Sequence, residues 1–178
     1  MKKLLYSILA LVGVVATSCT QDHIDVVYNP GEVTPATIVG VQAGDIASGA
    51  ATTVNYTTVN YNMQVSNPLY TLYIAKADTE MADKKKLSAD FAKAEKQEDG
   101  SLTVSIDAKT INQLLIKAFK AAYDEPFDVE FQIETAVSNE KGTAVHGTEV
   151  YSNTVKATYT PVEIKEALPD KDEFAHVW

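Results

Sequence analysis

Between Phe127 and Val137 the chain alternates without a break. Phe127, Val129, Phe131, Ile133, Thr135 and Val137 hold one parity; Asp128, Glu130, Gln132 and Glu134 hold the other. Successive side chains of a strand point to opposite faces, so "PFDVEFQIETAVSN" (126–139) reads as a strand with one dry face and one acidic face. A dry face of that length must be covered by a second layer, which narrows the fold to packed sheets or a sheet with helices.

Other segments repeat the pattern. "ATIVGVQ" (36–42) reads as a first strand, closed by the turn formers of "AGDIASGA". "TTVNYTTVNYNMQV" (52–65) follows, with "TTVNY" occurring twice in succession, a local strand bias rather than a structural repeat. In "PLYTLYIAKA" (68–77), Tyr70, Leu72 and Ile74 face one way, and "LTVSI" (102–106) alternates Leu102, Val104 and Ile106. The charged stretch 78–100 ends in a turn at "EDGS", and "VYSNTVKATYTP" (150–161) reads as one last strand ending at Pro161. One segment departs from this period. "DAKTINQLLIKAFKAAY" (107–123) spaces Ile111, Leu114, Leu115, Ala118, Phe119 and Ala122 by threes and fours, one face of a helix, with Asp107 as N-cap. The expectation is an all-β sandwich of the immunoglobulin/fibronectin kind with one short crossover helix.

The N-terminus has its own logic. Lys2 and Lys3 precede an apolar run, Leu4–Val15, of signal-peptide length and too short to span a bilayer. Ala16-Thr17-Ser18 then lead to Cys19, the only cysteine. This pattern resembles a bacterial lipobox, so residues 1–18 are expected to be a lipoprotein signal peptide and Cys19 the lipid attachment point. Two or more acyl chains hold a protein stably at a membrane surface. The polar, proline-containing stretch 19–34 suits a tether, 35–161 the sandwich domain and 162–178 a C-terminal tail. Asp22 and Asp25, close behind the cysteine, resemble a signal for export to the outer face of an outer membrane.

Charge excludes some functions. All 15 basic residues are lysine, against 24 acidic residues. Removing residues 1–18 takes away two lysines and no acid, leaving a net charge of −11. An acidic chain without arginine is unsuited to nucleic acid and to bidentate clamping of phosphate. A neutral polymer such as a glycan remains compatible.

The order of elements resembles the N-terminal immunoglobulin-like domain of the SusE family of outer-membrane lipoproteins. The pieces that carry the resemblance are the lipobox, "YTLYIAKA", "LTVSIDAKTINQLLIKAF", "FDVEFQIETAV" and "VYSNTVKATYTP", over roughly 36–161. It implies a surface lipoprotein beside a glycan-import porin and its lid lipoprotein. It further implies a non-catalytic role in starch or other polysaccharide acquisition, as a binding or spacer module. The alternative is a structural module that docks on a neighbouring outer-membrane protein.

Candidate chemistry is sparse. His23, His146 and His176 lack metal-ligand spacing, and "PDKDEF" lacks the central glycine and terminal glutamate of an EF-hand, so no metal or cofactor is expected. No nucleophile-elbow motif is present, and an enzyme is not expected. Sugar stacking would fall to Tyr56, Tyr61 and Tyr73, expected to project outward, and to Trp178, whereas Tyr70 and Tyr151 are expected in the core.

Overall fold

The computed structural model describes residues 28–63 and 68–164. The expected signal peptide, Cys19, His23, His176, the "PDKDEF" stretch and Trp178 lie outside the described residues.

Among the described residues, nine strands form two facing antiparallel sheets, joined by one α-helix. The first contains β1 (Ile38–Gln42), β2 (Thr52–Tyr56), β6 (Leu102–Ile106) and β5 (Glu95–Lys96), in that spatial order. The second contains β4 (Lys85–Leu87), β3 (Leu69–Lys76) and β7 (Phe127–Ala136). Beyond β7, β8 (Val150–Tyr151) and β9 (Val155–Tyr159) share its far edge. Helix α1 (Ala108–Lys117) crosses from β6 of the first sheet to β7 of the second. The core lies between the sheets. Val54, Tyr56, Val104 and Ile106 from one sheet meet Leu72, Ile74, Val129, Phe131 and Ile133 from the other, with Ile111 and Leu115 of α1. The all-β sandwich with a single crossover helix is therefore the fold.

Asp107 caps α1 as expected: its Oδ1 accepts the Lys109 amide at 2.6 Å. The helix is shorter than the spacing suggests. After Lys117 its last turn widens, with the Phe119 and Ala121 amides donating to the carbonyls of Leu114 and Leu115, and Lys120 turns left-handed at φ 56°. Phe119 therefore lies beyond the helix, stacked on Phe127 at 6.1 Å, and Ala122 is exposed.

Three other expectations change. The stretch 78–100 contributes two short strands, β4 and β5, where only charge and a turn were legible. The expected 52–65 strand ends at Tyr56. The second "TTVNY" copy instead forms a single bridge from Asn60 to Thr34. The expected 150–161 strand is broken. Tyr151 sits opposite Glu134 and Val155 opposite Phe131, which leaves one extra residue on the outer strand, a bulge at Asn153–Thr154. One glycine has no substitute: a Cβ on Gly44 would lie 2.1 Å from the Ala50 carbonyl oxygen, so only glycine lets the β1–β2 loop close.

Candidate functional site

The parity that buries Val129, Phe131 and Ile133 turns Glu130, Gln132 and Glu134 outward on the central strand of the second sheet. Register then sets their neighbours: Tyr73 lies beside Gln132, Tyr151 beside Glu134 and Lys156 beside Glu130. Glu130, Gln132, Tyr151 and Thr154, with Asp78, Glu80, Met81 and Lys84 of the β3–β4 loop, line a groove of about 600 Å³.

Lys84 fills the middle of this face. Its Nζ sits 4.3 Å from the ring centroids of both Tyr73 and Tyr151 and 3.8 Å from Glu134 Oε2. Each such cation–ring contact is worth about 0.5–1 kcal/mol at a partly exposed site. Burial, followed by the Glu134 carboxylate, raises the pKa of both phenols above the ordinary tyrosine value. At the far end, Lys156 Nζ donates to Asp78 Oδ1 at 2.6 Å and approaches Glu130 Oε1 at 3.9 Å, and the hydrogen bond to Asp78 raises the lysine pKa.

The loop that carries Lys84 is strained. Asp78, Glu80 and Met81 have φ of 63°, 50° and 59°, half of the six non-glycine residues with positive φ among those described. Such conformations persist where surrounding contacts over-determine them, and they concentrate at functional surfaces. Here the Ala77 amide donates to the Asp128 carbonyl at 3.0 Å and the Asp78 amide to Glu130 Oε1 at 3.3 Å, while Met81 is buried.

The aromatic expectations are largely reversed. Tyr56 is 1% exposed, packed against Tyr70 and Phe91 at centroid distances of 5.6 and 5.5 Å. Tyr61 is 5% exposed, its hydroxyl donating to the Thr148 carbonyl at 3.2 Å. Both belong to the interior. Tyr73 does face outward, half-buried against Lys84. Tyr70 packs against the core, but Tyr151, expected inside, is 44% exposed. The bulge is the reason. Counting back from the inward Tyr159, Ala157 and Val155 puts Tyr151 inside, and the extra residue reverses that parity. Lys84 was not singled out in the sequence because nothing local marks it as the lysine that folds back over the sheet.

His146 is solvated, 3.3 Å from Glu149. Among the described residues no group of three or more His, Cys, Asp or Glu is arranged to hold a metal ion. Residues 33–134 match the family described as SusE outer membrane protein, a match that ends within β7. No curated protein and no solved structure matches the chain.

Proposed function

The chain belongs to the SusE outer membrane protein family, and from that membership we propose that it is a non-catalytic spacer module of a surface polysaccharide-acquisition system. Outer-membrane localisation and a place in a Sus-like surface system follow from the family. The finer reading includes a lipid anchor on Cys19 and assembly beside a glycan-import porin and its lid lipoprotein.

The observation that carries the spacer role is the disposition of the rings. A sugar platform needs several aromatic faces held open on one rigid surface. Tyr56 and Tyr61 are inside, and Tyr73 and Tyr151 already bracket Lys84. A pyranose stacking on the ring faces that Lys84 occupies would have to displace the lysine from them and from Glu134.

The test is calorimetry of the mature chain with starch, xylan and mannan oligosaccharides. No micromolar binding is expected. Micromolar affinity for any of them, abolished by Tyr73→Ala or Tyr151→Ala, would replace the spacer role with direct sugar binding. The second reading, docking on a neighbouring outer-membrane protein, is favoured by the strained, ion-paired loop 77–84 on an outward face.

A further inference from the structure

The groove on the outward face of the second sheet has committed its donors and kept its acceptors. Lys84 Nζ sits over Tyr73 and Tyr151 and beside Glu134. Lys156 Nζ donates to Asp78 Oδ1 at 2.6 Å, and Gln132 Nε2 donates to the Ser152 carbonyl at 3.2 Å. Among the described residues, Gln132 Oε1 and the exposed Glu80 carboxylate have no hydrogen-bond or ion-pair partner. The Thr154 hydroxyl, also in the lining, serves either way.

Glu130 is the sharpest case. It is only 7% exposed, and the Asp78 amide at 3.3 Å and Lys156 Nζ at 3.9 Å both meet its Oε1. Its Oε2 accepts no hydrogen bond among the described residues, yet it is not sealed off, so the open space it meets is the groove that Glu130 lines. A carboxylate that has given up most of its water needs donors on both oxygens, and here one has none.

We infer that this groove docks an arginine side chain of a partner protein, the guanidinium donating to Glu130 Oε2 and to the acceptors around it. The inference rests on, and deepens, the reading of the domain as a module that contacts a neighbouring outer-membrane protein. A guanidinium carries five donors and no acceptor, the complement of a lining whose open groups accept. Charge agrees. Asp78, Glu80, Glu130 and Glu134 stand against Lys84 and Lys156, while Asp128 and Lys86, farther out on the same face, add one charge of each sign. An anion would be repelled, and each sugar hydroxyl would bring an acceptor that finds few free donors. Tyr151 separates arginine from lysine. Its ring is 44% exposed in the lining and already lies against one cation, Lys84. A planar guanidinium stacks on a ring and forks onto a carboxylate, whereas an ammonium is a compact point charge. The chain itself contains no arginine, so the side chain must come from a partner.

The test is a nuclear magnetic resonance titration of the mature chain with acetyl-Gly-Arg-Gly-amide. The same peptide with lysine or glutamine in place of arginine, and maltohexaose, are run in parallel. The arginine peptide should shift the Glu80, Glu130 and Gln132 amides and the Tyr151 ring signals with a Kd in the millimolar range or tighter. Binding should weaken as salt rises from about 0.01 M to about 0.15 M. Glu130→Gln keeps the acceptor for the Asp78 amide and removes the charge, and it should weaken binding at least about threefold. Glu80→Gln, on the exposed loop, should weaken it in the same direction. Unchanged unfolding midpoints would establish that both variants are folded. Four outcomes overturn the inference: no localised shifts, shifts undiminished in both variants, equal binding of the lysine or glutamine peptide, or the same shifts produced by maltohexaose. A silent arginine titration leaves the non-catalytic reading standing, because that reading falls only to micromolar glycan binding in calorimetry.

Discussion

Asn153 supplies Ile38 with the strand neighbour that β1 lacks. Its Oδ1 accepts the Ile38 amide at 2.8 Å and its Nδ2 donates to the Ile38 carbonyl at 3.1 Å, so one side chain satisfies both peptide groups of a residue in the opposite sheet. The bulge between β8 and β9 puts Asn153 where its side chain can reach across, and the same bulge turns Tyr151 outward. One inserted residue thus joins the two sheets along an edge and shapes the aromatic face.

Asn153→Ala should destabilise the domain by about 1–3 kcal/mol, the cost of leaving partly buried peptide groups without partners. Asn153→Asp should not rescue it, since a carboxylate would face the Ile38 carbonyl. Urea unfolding checks both. An unchanged midpoint in the alanine variant would mean that water substitutes fully for the carboxamide.

Leu115→Ala should cost about 2–5 kcal/mol, because Leu115 is fully buried between α1 and the sheets. Phe119→Ala should cost less than Leu115→Ala, since Phe119 lies past the helix end, half-buried and stacked on Phe127. Measured side by side in urea, the reverse order would place the weight of the helix contact on the ring.

Stability should fall in alkali. Burial pushes the Tyr56 phenol up to about 12, helped by Tyr70, and pushes Tyr159 up to about 12 despite its 2.9 Å hydrogen bond with Thr52. Both folded-state values exceed the unfolded value of 10.0. The folded state therefore holds these protons more tightly, and the contribution is fully present below pH 10 and lost as pH rises towards 12. Unfolding midpoints measured across that interval should drop, with a smaller drop in Tyr159→Phe. A flat profile would mean that neither phenol is kept neutral by the fold.

Cys19→Ala should release the protein from membranes. The reason is the lone cysteine placed directly after an apolar run and small residues. Detergent phase partitioning checks it: wild type in the detergent phase and the variant in the aqueous phase is the expected result. A wild-type protein wholly in the aqueous phase would remove the anchor from the proposal.

The sequence by itself determined the layers. Alternation over 127–137 specified a strand with one dry face, the spacing of Ile111 and Leu115 specified a helix face, and Asp107 specified where that helix begins. These are local signals, because periodicity and capping depend on neighbours along the chain. Tertiary structure decided what local signals leave open. The pentapeptide "TTVNY" is a strand at 52–56, paired on both sides, and an irregular segment with one bridge at 57–61, and each copy buries its tyrosine. Identical residues have identical propensities, so only their different partners separate the two. Tyr151 was misplaced for a related reason. A bulge is a property of two strands in register, and it reverses the parity that one strand's sequence displays. The placing of Lys84 between Tyr73 and Tyr151 likewise exists only once distant segments are packed together, because burial and cross-strand contact are relations between segments rather than properties of either.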